Sequence, residues 1–146
     1  MKHEPYFEWD PETGTATCVL SDGENIFLGM ATCHPEDKDM MNEKTGYHIA
    51  QYRAQIEYFK HIRDNVLKPR LAALKQLYFS MNRSKYFNEK SYETRMLQRQ
   101  IYLTQSDLDL IKEDLNELKK DLMAYLKVKE EFYVKVRENR VKDKNN

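Results

Sequence analysis

Glycine and proline are scarce, four of each in 146 residues. The glycines at 14, 23, 29 and 46 are too scattered to form a phosphate-cradling loop. Cysteine is limited to Cys18 and Cys33, with no C-x-x-C spacing. This excludes a disulfide scaffold and leaves zinc without its usual ligand pair, so a reduced pair in a cytoplasmic protein is expected. No apolar run approaches the ~20 residues of a membrane-spanning helix, and no membrane partner is expected. Met1-Lys2-His3-Glu4-Pro5 leads into acidic residues rather than an apolar stretch, which argues against a secretory signal. Disorder is excluded as well, because ten Tyr, six Phe and Trp9 supply bulky apolar surface.

Charge is abundant and segregated. Twenty-four Lys and Arg balance twenty-four Asp and Glu, for a net charge of zero. Residues 1–50 nevertheless hold three basic and ten acidic side chains, whereas residues 51–100 hold eleven basic and four acidic. Either the acidic third neutralises the basic one, or a basic surface stays open for an anionic ligand.

Hydrophobic patterning predicts an α+β fold: a small N-terminal antiparallel β-meander followed by a long antiparallel helical hairpin, coiled-coil-like in its seam. Residues 1–34 form the meander, 35–44 an acidic linker, 45–141 the hairpin and 142–146 a frayed tail. Asp22-Gly23 between apolar runs is a hairpin cue, and a two-residue turn there pairs Cys18 with Phe27 and Ala16 with Gly29. One face then carries Ala16, Cys18, Leu20, Phe27, Gly29 and Ala31, small enough for a helix to approach through Ile49 and Ala50. Tyr6, Phe7 and Trp9 form a further strand before the turn at Asp10-Pro11. Thr45 is the expected N-cap of a first helix over 45–81, with a break near Pro69. Ile49, Tyr52, Ile56, Phe59, Ile62, Val66, Leu71, Leu74, Leu77 and Tyr78 make its apolar stripe.

The second helix is expected over 89–140. Ile101, Leu108, Leu115, Leu122 and Val136 hold one heptad position, and Leu97, Ile111, Leu118, Tyr125 and Phe132 the other. Thr104 and Lys129 interrupt the pattern. In a parallel dimer Asp107 would face Lys112 and Asp114 would face Lys119, while an intramolecular hairpin uses the same stripe without a partner. A homodimer or higher homo-oligomer built on that hairpin is the expectation.

Chemistry is sparse. Cys18, Cys33, His34 and His48 do not have chelating spacing, and Cys33-His34 point to opposite faces if they lie on a strand. Glu36, Asp37, Asp39 and Glu43 form no glycine-centred calcium loop. No enzyme activity and no cofactor are expected. The informative region is the hairpin tip and the start of the second helix. There Arg83, Lys85, Arg95 and Arg99 alternate with Tyr86, Phe87 and Tyr92, with Asn88 among them. Guanidinium forks and aromatic faces suit a protein hot spot, and equally a nucleotide or single-stranded nucleic acid.

Ala16-Thr17-Cys18-Val19, Gly29-Met30-Ala31-Thr32-Cys33-His34-Pro35-Glu36-Asp37 and Thr45-Gly46 before Ile49-Ala50 and Arg53-Ala54 resemble small accessory proteins of phages and prophages of Gram-positive bacteria. So does the later run Met81-Asn82-Arg83-Ser84-Lys85, then Phe87-Asn88, Lys90-Ser91-Tyr92-Glu93 and Met96-Leu97. The resemblance spans most of residues 14–140 and brings no catalytic residue with it. It implies an accessory protein acting in the host cell cytoplasm, in a class rich in inhibitors of host defence. Such a protein binds a host protein complex or sequesters a nucleotide signal.

Overall fold

The computed structural model describes residues 4–33, 42–84 and 86–145; the expected acidic linker and Lys85 lie mostly or wholly outside them. Three antiparallel strands in the order β1 (Tyr6–Asp10), β2 (Thr15–Ser21) and β3 (Ile26–Thr32) precede the helices. These are α1 (Glu43–His61), a π-helical turn (Ile62–Leu67), α2 (Lys68–Asn82) and α3 (Tyr92–Asn145). The fold is α+β, as patterning predicts. The chain divides into two compact units, one of Met1–Tyr58 with Glu117–Asn146 and one of Phe59–Asn116.

In the first unit the hairpin register differs from expectation. Cys18 opposes Gly29, Ala16 opposes Ala31 and Leu20 opposes Phe27. The turn is centred on Gly23-Glu24: Gly23 takes a φ of 99°, and the Asp22 N–H donates to the Asn25 carbonyl. Asp22 is no turn centre because its carboxylate accepts the Glu24 and Asn25 N–H groups at 2.9 and 2.7 Å. Moving the centre by one residue shifts the register by two, so the expected inward face is kept.

That face is buried. Ala16, Cys18, Leu20, Phe27 and Ala31 form one core with Ala50 and Ala54 of α1, with Phe7, Trp9, Tyr47, Ile49 and Tyr58 packed around it. Close approach is possible because of Gly29, where a methyl group would run into the backbone of Ala50 and Ala54. The opposite face of β3 leaves Ile26, Leu28 and Met30 exposed. Arg53 on α1 donates to the Met30 carbonyl at 2.6 Å, covering part of the open strand edge.

Asn42, not Thr45, caps α1: its side-chain oxygen accepts the Lys44 and Thr45 N–H groups at 2.9 and 3.4 Å. Thr45 is instead buried against the sheet side. Tyr47 donates to Glu43 at 2.6 Å, which pushes its phenol up to about 12. In this unit Tyr125 of α3 lies near the rings of His48 (5.7 Å) and Tyr52 (6.2 Å).

In the second unit the α-helical geometry is interrupted just before Pro69, which sits in the first turn of α2, while the chain stays helical through the π-helical turn. The Lys68 N–H donates to the Arg63 carbonyl five residues back, a widened turn that moves the preceding carbonyls out of the path of the proline ring. Asp64 on this turn accepts from Arg63 (2.8 and 3.0 Å) and pairs with Lys68 (3.1 Å). Leu67, Leu71 and Leu108 pack together with Ile62, Ile101 and Ile111 around them, and Gln98 donates to the Tyr78 hydroxyl at 3.1 Å. Tyr78 meets the start of α3 and Leu71 a later point, so the pair is antiparallel within the chain. Burying each such leucine is worth about 1.5–3 kcal/mol.

The seam of α3 departs from the heptad text at several places. Thr104, an expected interruption, is buried, while Phe132, an expected seam residue, is 56% exposed. A straight helix drifts by about 20° per heptad, so Tyr133 takes the inward place. Val66 and Leu77 of the first stripe are exposed. The second helix starts at Tyr92 rather than 89 and continues through Asn145, over the expected frayed tail.

Candidate functional site

The loop joining α2 to α3 is held by its own backbone and small polar side chains. The Ser84 hydroxyl accepts the Tyr86 N–H at 3.2 Å, and the Ser84 carbonyl accepts the Phe87 N–H at 3.1 Å. Asn88 accepts the Lys90 N–H at 2.9 Å, an Asx turn. Ser91 caps α3: its hydroxyl accepts the Thr94 N–H at 3.2 Å and donates to the Thr94 hydroxyl at 2.7 Å.

These bonds sort the expected site residues. Phe87 sits edge-on to Tyr78 with ring centroids 6.0 Å apart, closing the hairpin end. Arg83 lies over the Phe79 ring, 4.6 Å from its centroid. Asn88 is committed to the turn, and Lys85 lies outside the described residues. Tyr86 is the most exposed of the loop's large hydrophobic side chains among the described residues, at 81%. It borders a shallow hollow of about 270 Å³ with Phe87, Asn88, Glu93 and Thr94.

Tyr92, Arg95 and Arg99 form a separate group on α3. At helical spacings of three and four they share the face opposite Thr94, Leu97, Thr104 and Leu108, which are buried. Three residues that sequence reasoning did not single out complete it. Tyr102 is 72% exposed on the same face as Tyr92 at 73%, with Met96 exposed between them and Leu103 exposed next to Tyr102. Their signal was present in the sequence: Tyr92, Met96, Arg99 and Leu103 repeat every three or four residues out of phase with the seam.

The outward face therefore carries two tyrosines, two arginines, Met96 and Leu103 on a helix whose other face is already satisfied by its own chain. Such a face can bury aromatic and guanidinium area against a partner at small entropic cost, because a long helix holds the side chains in register. Among the described residues no group of three His, Cys, Asp or Glu side chains could hold a metal ion, and no helix is long and apolar enough to cross a membrane. Cys18 is buried, which pushes its thiol up, and it forms no disulfide with Cys33. Compared with known proteins, the chain matches no family model, no curated protein and no solved structure.

Proposed function

We propose that this chain is a non-enzymatic binding protein, acting in the host cytoplasm, that blocks a host defence complex by docking the outward face of α3 on it. One observation carries the reading. Tyr92, Arg95, Met96, Arg99, Tyr102 and Leu103 stand exposed on one helix face without a packing task in their own unit. Tyr and Arg are the residues that dominate protein hot spots. The host setting rests on the resemblance to phage accessory proteins, and the binding protein is read as a homodimer or larger oligomer.

The tip supports the nucleotide or nucleic-acid reading less. Stacking platforms need free aromatic faces and cations. Phe87 is turned onto Tyr78, and Arg83 onto Phe79.

Affinity capture from a nuclease-treated Gram-positive lysate tests the proposal, using the full chain beside Tyr92→Ala/Tyr102→Ala. One host protein or complex is expected in stoichiometric amount, retained near ~1 M salt, where the screening length falls to about 3 Å. The double variant should lose it. Capture that nuclease or salt abolishes, or that the double variant keeps, overturns the proposal in favour of nucleic acid or another surface.

A further inference from the structure

Within the unit of Phe59–Asn116, the first heptad stripe of α3 is occupied by its own chain: Ile101, Leu108 and Ile111 pack on Leu67 and Leu71. A second stripe runs along the opposite side. Tyr92, Met96, Arg99, Leu103, Ser106 and Leu110 follow one another at alternating steps of four and three, and all six are exposed. Alternating steps of four and three are the spacing of a coiled-coil seam. Met96, Leu103 and Leu110 repeat every seven residues, and Leu110 carries the stripe one heptad beyond the docking face described above.

Charge changes sign along this stripe. At 3.6 residues per turn, Arg95, Tyr102, Asp109 and Glu113 line one flank of it, with Arg99 close beside them. The flank is therefore basic where α3 begins and acidic two heptads later. Among the described residues, no ion pair engages Arg95, Arg99 or Glu113. Gln105 donates to Asp109 at 2.9 Å, and a carboxylate has room for further donors.

We infer that two copies of the chain pair through this stripe, antiparallel, about a twofold axis near Leu103 and Thr104. A twofold axis brings the same patch of each copy together, so the patch must complement itself. This one does. Leu103 meets Leu103 of the second copy, and Met96 meets Leu110. On the flank, Arg95 comes alongside Glu113 of the second copy and Arg99 alongside Asp109, each contact occurring twice. A parallel pair in register would instead set Asp107 and Asp114 beside Asp109 and Glu113 of the second copy, acid against acid. The stripe is about six turns long, roughly 33 Å, which suits a weak, exchangeable pair rather than a permanent one. The second copy covers the face proposed to dock a host complex, so the two compete for it. That competition rests on the host reading; the pairing does not.

Sedimentation equilibrium of the purified full chain tests the pairing without any host partner. The mass should rise from one chain toward two over about 1–100 μM. Arg95→Glu/Arg99→Glu and Asp109→Lys/Glu113→Lys should each weaken self-association by at least about tenfold, because like charges then meet on both flanks. Mixed one to one, the two variants should pair again, since each reversed flank finds its opposite. Circular dichroism reports that both remain helical, and either variant alone still tests the flank if the other fails to fold. The mass of a single chain at every concentration overturns the inference. So does self-association that a folded variant keeps in full, or a mixture of folded variants that stays monomeric. Failure to capture a host protein would leave these results standing, and failure to pair would leave host capture standing.

Discussion

Two stretches of α3 read alike as heptads and differ in where they carry their chemistry. Between Tyr92 and Leu115 the inward positions are buried, with Thr94, Leu97, Thr104, Leu108 and Leu115 all enclosed. The unusual residues, two tyrosines and two arginines, stand outside. From Leu122 onward the inward positions hold Lys129, Tyr133 and Arg137 around a hollow, while an apolar Phe132 is turned out. A seam that closes leaves the aromatic and basic residues on the outer face, whereas a seam that stays open leaves them on the inner one. The helix is continuous through both stretches, so the division comes from side chains alone.

The closed seam can be broken first. Leu108→Ala removes a side chain that is 4% exposed among Leu67 and Leu71, and should cost about 2–5 kcal/mol. Chemical denaturation should show this as a lower midpoint at unchanged slope. Lys129→Ala, at the equivalent seam position farther on, should cost no more than about 1 kcal/mol, since the half-buried side chain contributes mainly through its ammonium over the Tyr125 ring. Equal losses would erase the distinction between the stretches.

Gly29→Ala tests the close contact of α1 with the sheet. The added methyl meets backbone rather than a flexible side chain, so the cost lies toward the upper end of the ~1–3 kcal/mol range for overpacking. Thermal melting should detect it, and a neutral result would mean that α1 does not sit against β3.

Much of this was legible from residue order. The inward face of the hairpin survived a wrong turn centre because a two-residue slip preserves alternation. The turn itself was not legible, since Asp22 serves equally as a turn residue and as a cap for the N–H groups beyond it. Asn42 and Thr45 are both competent caps, and tertiary burial of Thr45 decided between them. Pro69 announced a disturbance but not its form, because a break and a widened turn both relieve the same clash. Of the expected site, Tyr92, Arg95 and Arg99 share one face, whereas Arg83, Phe87 and Asn88 are occupied within the tip. The hollow was hidden because its walls come from three distant segments, each ordinary alone. Its one trace in the sequence was Lys129, which interrupts the seam opposite small residues.

Smaller effects sharpen the account. Asn42→Ala removes the cap of α1 beside the hollow and should cost about 1 kcal/mol, measurable by denaturation. Phe132→Ala should stay within ~0.5 kcal/mol despite its heptad position, because the ring is exposed. The smallest effect concerns pH. Arg63 and Lys68 beside Asp64 hold its carboxyl well below the usual carboxylate range. A depressed value means that the ion pair contributes above the ordinary carboxyl range and loses its contribution as pH falls through that range and below. Solvent surrounds this carboxylate, so Asp64→Asn should flatten the acid limb of a stability curve only slightly.

The division of labour along α3 is tested most directly by crossing two variants with two readouts. Tyr92→Ala/Tyr102→Ala and Leu108→Ala are each measured for capture of the proposed host partner and for the denaturation midpoint. The account predicts that the tyrosine variant loses capture at a nearly unchanged midpoint, whereas Leu108→Ala loses stability and keeps capture. Loss of both by either folded variant, or of neither by both, would contradict it.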